Sequence, residues 1–205
     1  MLKNSKMNRN RGVSGPQFIK KGILVIVSGP SGSGKTTIVE RLVDVAGFRK
    51  SISATTRKKR NNEEEGRDYY FLGGGEFERR IKEGYFLEYA RVFGEYYGTP
   101  LKPVMRAMED GEVCVLEIDV QGAEQVLKKF PEALSIFIMP PENEKTLIKR
   151  LKKRSTETEE QIKKRLSIAR QEMEAKDRYK YTVVNDNLER AVKEVKAIIE
   201  SKGNV

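Results

Sequence analysis

Five apolar residues, Ile23-Leu24-Val25-Ile26-Val27, run without interruption into Ser28-Gly29-Pro30-Ser31-Gly32-Ser33-Gly34-Lys35-Thr36-Thr37. A short apolar run of this kind suits a strand covered on both faces, and the polar turn after it opens a helical pattern over 36–45. The turn matches G-x-x-x-x-G-K-[ST] in the setting where that motif works, between a buried strand and a helix. Gly29, Gly32 and Gly34 let main-chain N–H groups turn inward around a polyphosphate that side chains would otherwise keep away. Lys35 can reach the β- and γ-phosphates, the Thr36 hydroxyl can join a Mg²⁺ shell, and the following helix points its N-terminus at the same anion. A strand, a phosphate loop and a helix in this order imply a bound nucleoside triphosphate.

The rest of the chain repeats the β/α alternation. Strands are expected over 23–27, 113–118, 134–139 and 181–184, and helices over 36–45, 102–109, 123–129, 142–154, 159–176 and 188–200. Thr158 and Gln161 have capping-box spacing at the start of the fifth helix. This is the pattern of an α/β protein with a parallel, doubly wound sheet. Residues 51–100 break it with aromatic residues in short extended pieces, among them Tyr69, Tyr70, Phe71, Phe86, Tyr89, Phe93, Tyr96 and Tyr97. That stretch reads as a β-rich lobe inserted in the core, with one short helix over 77–81.

The 205 residues are enough for one α/β domain with small inserted lobes, without disulfides. The single cysteine, Cys114, falls in an apolar run and reads as a buried strand residue, since the chain has no histidine to activate it. No apolar stretch approaches a membrane span, so a cytoplasmic protein without a membrane partner is expected. Of the ten excess positive charges, six lie in residues 1–21, where no acidic residue occurs, leaving four over 22–205. Residues 1–20 read as a disordered basic tail. The remaining charge suits small anionic substrates better than a nucleic acid.

Three clusters bear on a second substrate. Arg57 and Arg60 in Thr55-Thr56-Arg57-Lys58-Lys59-Arg60 can clasp one phosphate bidentately. Tyr69 and Tyr97 offer hydroxyls to a phosphate and rings to a base pocket. Glu88 is a carboxylate in an apolar run, costly unless it meets donors, while Glu117 and Asp119 end a strand at the ligand edge of an open sheet. Guanine presents adjacent N1–H and N2–H donors, which carboxylates read. As ordinary structure, the arginines are an exposed basic loop and the tyrosines the core of a small lobe.

Over residues 21 to about 200 the chain resembles guanylate kinase, one of the P-loop nucleoside monophosphate kinases. The motifs are Ser-Gly-Pro-Ser-Gly-Ser-Gly-Lys-Thr-Thr, Ser-Ala-Thr-Thr-Arg, Gly-Arg-Asp-Tyr-Tyr-Phe, Glu-Tyr-Tyr-Gly-Thr-Pro, Ile-Asp-Val-Gln-Gly, Lys-Arg-Leu, Thr-Glu-Thr-Glu-Glu and Val-Val-Asn-Asp. The resemblance implies a core of 21–51, 102–142 and 167–205, a GMP-binding lobe over 52–101 and a helical lid over 143–166. It implies that Gly29, Pro30, Ser31, Gly32, Ser33, Gly34, Lys35, Thr36 and Thr37 hold ATP, with Asn185 near the adenine and Mg²⁺ on Thr36. Ser53, Glu88, Thr99 and Asp119 would hold guanine, and Arg57, Arg60, Tyr69 and Tyr97 the GMP phosphate. Lys35, Arg57, Arg150, Arg154 and Arg165 would neutralise the transferred group. The implied reaction is ATP + GMP ⇌ ADP + GDP, with dGMP a second acceptor. Glu117 stands where the family often has Asp, Ala54 where it often has Ser, and Lys59 where it commonly has Pro. A non-catalytic binding module and a P-loop kinase with another acceptor are the competing readings; the intact loop opposes the first, and Ser53, Glu88 and Asp119 oppose the second.

Overall fold

The computed structural model describes residues 22–141, 147–148 and 159–202. Its core is a five-stranded sheet in the order β2-β7-β1-β8-β9. The strands are β1 (Ile23–Ser28), β2 (Arg49–Lys50), β7 (Val113–Glu117), β8 (Leu134–Met139) and β9 (Tyr181–Val184). Every neighbouring pair is parallel. The strand pleat explains why helices are needed on both sides. Val25 and Val27 of β1 face a cluster containing Ile38, Val39 and Leu42 of α1 (Lys35–Ala46) and Ala191, Val192, Val195 and Ile199 of α6 (Leu188–Glu200). Leu24 and Ile26 face the opposite cluster, with Val104 and Ala107 of α3 (Leu101–Glu109) and Ala123 and Val126 of α4 (Val120–Lys129). Residues of alternating direction thus meet two separate helical layers. Cys114 is 1% exposed within the second.

Between β2 and α3 the chain builds a second, four-stranded sheet in the order β4-β3-β6-β5. It comprises β3 (Ala54–Thr55), β4 (Tyr70–Phe71), β5 (Phe86–Val92) and β6 (Glu95–Pro100), packed on α2 (Gly74–Lys82). Phe77 is fully buried there, its ring stacked 4.4 Å from Phe86 and 5.1 Å from Tyr96. The β5–β6 register slips between Phe86 and Glu88. This irregularity lets three successive residues be buried in different places: Phe86 in the lobe, Leu87 in the main core, and Glu88 beside Thr99. The hairpin turns through Phe93 (φ 52°) and Gly94 (φ 89°), the double positive φ that a tight two-residue turn requires.

Helix α5 (Glu159–Met173) runs into a 3₁₀ turn, Glu174–Arg178, so the helix expected over 159–176 ends three residues early. The short helix expected over 77–81 instead starts within the triple-glycine stretch. β2 carries only two residues and offers no periodicity, which is why the sequence did not reveal it. The basic tail over 1–20, the helix expected over 142–154 apart from residues 147–148, with its Arg150 and Arg154, and Thr158 lie outside the described residues. Leu147 is buried against Ala169 and Leu166 of α5.

Emptying the centre of the inserted lobe should be expensive. Phe77→Ala removes a fully buried ring with two stacked neighbours and is expected to cost about 3–5 kcal/mol in urea unfolding. Val45→Ala, at a side chain 54% exposed, should stay within about 0.5 kcal/mol. Equal effects would contradict this account of the lobe's core.

Candidate active site

The C-terminal ends of β1 and β7 and the inner face of the small sheet open into one cleft. Its lining includes Gly29, Ser31, Lys35, Thr36, Ser53, Arg57, Arg60, Tyr69, Glu88, Tyr97, Glu117, Asp119 and Arg165. Residues spread over more than a hundred positions of sequence therefore converge where an open α/β sheet places its ligands.

The loop owes its shape to main-chain packing. At Gly29 (φ 138°) a Cβ would sit 2.3 Å from the Ile138 carbonyl oxygen of β8, so only glycine lets the loop leave β1 there. Asn185, 3% exposed at the end of β9, donates its side-chain N–H to the Ser33 carbonyl at 2.7 Å and its main-chain N–H to the Met139 carbonyl. Its amide thus supports the loop from behind. Lys35 Nζ donates to the carbonyls of Gly29 and Pro30. Thr37 is exposed on the first turn of α1.

Thr36 donates its hydroxyl to Glu117 Oε1, while Lys50 Nζ lies 2.9 Å from Glu117 Oε2. Burial alone would raise the Glu117 pKa; Lys50, Thr36 and Lys35 outweigh it and hold the carboxyl below its ordinary value. A hydroxyl and an ionised carboxylate side by side at the loop form an oxygen donor pair suited to Mg²⁺ and its waters. Among the described residues no group of three or more His, Cys, Asp or Glu side chains forms a metal cage. The set fits a cation shared with nucleotide phosphates rather than one enclosed by protein.

On the acceptor side, Thr99 donates to Glu88 Oε1 at 2.6 Å, and Ser53 Oγ lies 3.3 Å from Thr99 Oγ1. The single Thr99 proton is spent on Glu88, so Ser53 donates to Thr99 and the three side chains form a directed chain. Asp119 caps α4, accepting from the Gly122 N–H at 2.7 Å. A Cβ on Gly122 would stand 2.5 Å from Glu88 Oε2 and 3.3 Å from Asp119 Oδ1. The missing side chain is what lets these two carboxylates approach each other. Burial pushes the Glu88 carboxyl up to about 7, the Asp119 charge adding to it and the Thr99 hydrogen bond and Lys129 opposing it. Burial also raises Asp119, against its α4 amide contacts and Lys35.

Arg57 is held as a fork on Glu63, with contacts of 3.1 and 2.8 Å, and its guanidinium lies 5.5 Å from the Tyr69 ring centroid. Arg60 approaches the same carboxylate at 3.7 Å. Burial would raise Glu63; its contacts to Arg57 and the Arg60 amide prevail and keep it low. The Tyr69 and Tyr97 rings meet edge to face at 6.1 Å, and burial raises the Tyr69 hydroxyl above its ordinary value. Arg165 of α5 lies over the Phe93 ring at the hairpin tip.

Sequence reasoning missed Glu63, Lys50, Phe93 and Glu172. Glu63 had a usable signal, an acidic residue three positions beyond Arg60 and six beyond Arg57. The other three depend on contacts between distant elements that no local pattern announces.

The guanylate kinase family model matches residues 21–202. The guanylate kinase of Caldanaerobacter subterraneus subsp. tengcongensis is 48% identical over 181 residues, covering 88% of this chain and 87% of that protein. That of Clostridium acetobutylicum is 47% identical over 180 residues, covering 88% and 86%. The crystal structure of guanylate kinase from Anaplasma phagocytophilum superposes with a TM-score of 0.73 at 32% identity, covering 90% of this chain and 87% of that one. The loop, the Glu88–Thr99–Ser53 chain and the paired arginines thus occur together in a chain that belongs to the guanylate kinase family, the ATP:GMP phosphotransferases.

Proposed function

We propose that this cleft transfers the terminal phosphate of ATP to GMP, with the donor on the Gly29–Thr36 loop and the acceptor against the small sheet. One observation carries the reading: a phosphate loop and a buried, hydrogen-bonded carboxylate open into the same cleft. Loop N–H groups and Lys35 hold the donor phosphates. Ser53, Glu88, Thr99 and Asp119 read guanine; Arg57, Arg60, Tyr69 and Tyr97 seat the acceptor phosphate. Arg165 faces the gap between the two halves. Thr36, backed by Glu117, would hold Mg²⁺, which when bound neutralises charge on the β- and γ-phosphates.

No covalent intermediate is needed. The residues place an acceptor phosphate oxygen in line with the donor's terminal phosphate and stabilise spread negative charge. Glu63 keeps the Arg57 fork oriented before substrate arrives, which lowers the ordering cost at the moment of binding.

A coupled assay of ADP formation with GMP, dGMP, AMP, CMP and UMP in turn tests the proposal. GMP and dGMP should accelerate it and the others should not; no acceleration by GMP removes the reading. Lys35→Ala should lower kcat by roughly 10²–10³-fold with circular dichroism unchanged. Full activity in that variant would contradict the donor assignment.

Glu88 gives a pH signature. Guanine N–H donors favour its ionised form, and in the empty site its carboxyl titrates at about 7. GMP affinity should therefore be level above that value and fall as pH drops through it, approaching tenfold per pH unit. Glu88→Gln should abolish this dependence, leaving only that of the GMP phosphate, which titrates near about 6. The same variant should reduce GMP-over-AMP selectivity by about ten- to a hundredfold, the worth of hydrogen bonds to a charged group. An unchanged pH profile and selectivity ratio would exclude Glu88 as the base reader.

A further inference from the structure

Helix α5 touches both halves of the cleft. Its inner face presents Arg165, Ile168 and Glu172, spaced i, i+3 and i+7, to the lining. At one end Glu172 Oε2 accepts from the Ser31 main-chain N–H of the phosphate loop at 3.3 Å. At the other, the Arg165 guanidinium lies 5.1 Å from the ring centroid of Phe93. Phe93 occupies the positive-φ region that bulky residues avoid and is 48% exposed, so the hairpin tip holds an aromatic ring out toward α5 at a backbone cost.

The phosphoryl transfer described above uses Glu117 behind Thr36 and gives Glu172, the second carboxylate at the donor loop, no chemical task. Glu172 would instead repel an incoming phosphate, strongly so in a half-dry cleft. Its oxygen sits on an N–H of the kind that such a loop turns toward a polyphosphate. Burial raises its carboxyl, while Lys35 and the Ser31 amide favour its charge. A triphosphate and this carboxylate cannot both take the Ser31 amide.

We propose that Glu172 is a resident anion of the phosphate loop, a positioning residue that the donor triphosphate must displace, and that its displacement releases α5. This rests on the donor assignment made above. The donor binds the released state better than the tethered one, which is the differential affinity any ligand-driven shift requires. Because Arg165 rides on the same helix face, release at the donor end changes its seat against Phe93 at the acceptor end. Donor occupancy is thereby transmitted to the acceptor lobe, and by linkage the acceptor acts back on the donor.

The test is calorimetric titration of the full chain with the non-hydrolysable analogue AMP-PNP and Mg²⁺, alone and with GMP present. Wild type is compared with Glu172→Gln and Glu172→Asp. The aspartate keeps the charge but is one methylene short of the Ser31 amide, so it separates seat competition from simple repulsion. Both variants should bind AMP-PNP about three- to tenfold more tightly, Glu172→Asp because it falls short of the Ser31 amide and Glu172→Gln because its neutral carbonyl is a weaker acceptor there than a carboxylate. In both, the factor by which AMP-PNP strengthens GMP binding should shrink toward one. An aspartate variant identical to wild type, or weaker binding in either variant, overturns the proposal; tighter binding with undiminished coupling overturns transmission through α5. Absence of AMP-PNP binding by wild type would instead overturn the donor assignment itself.

Discussion

An anion site built from main-chain N–H groups demands two things of its surroundings: no side chain in the way, and a counter-charge for every charge brought near. Gly29 meets the first demand against the Ile138 carbonyl. The second organises the cleft, where Glu117, Asp119 and Glu172 all feel the charge of Lys35 and Glu88 feels that of Lys129. Each of these carboxylates would be costly without a donor, and each has one from a different element. Thr36 and Lys50 serve Glu117, the Gly122 amide serves Asp119, Thr99 serves Glu88, and the Ser31 amide serves Glu172. The acids that manage the charge also join the parallel sheet, the inserted lobe and α5.

In the proposed reading, acceptor choice depends on a defect in regular structure. Strict alternation along β5 would send Phe86 and Glu88 to one face and Leu87 to the other. The slip between Phe86 and Glu88 allows the ring to enter the lobe and the carboxylate to reach Thr99, with Leu87 still in the main core. Gly122 completes the arrangement by leaving room for two carboxylates to approach. Burial raises both pKa values, and the Asp119 charge raises Glu88 further, so the empty site stores a preference for a ligand that brings donors. Guanine, with its N1–H and N2–H pair, is such a ligand.

The legible parts of this chain are those governed by short-range pattern. Apolar runs located four of the five parallel strands, because burial on both faces makes β1, β7 and β8 almost wholly apolar, while the half-exposed edge strand β9 keeps β-branched residues. The loop motif located one wall of the cleft, since its glycines and lysine are contiguous. The acceptor residues were legible as residue types, a carboxylate among apolar neighbours and paired arginines. Their partners were not: Glu63 looked like one more charge in a charged turn, and nothing local announces the contact of Asn185 with Ser33. β2 escaped because two residues carry no period, and its Lys50 with it.

Helix α5 shows why contacts of this kind matter more than their number. Its 15 residues are mostly polar and offer a weak apolar stripe, so propensity and periodicity describe it as an ordinary solvated helix. What distinguishes it is the spacing of an arginine and a glutamate two turns apart on the face turned to the cleft. One meets an aromatic ring held out by a strained hairpin, the other a main-chain amide in the donor loop. A kinase that needs both substrates before it reacts gains from an element that senses each at one end. Two opposite charges at fixed helical spacing are sufficient for that, provided the two halves of the site lie about two helical turns apart.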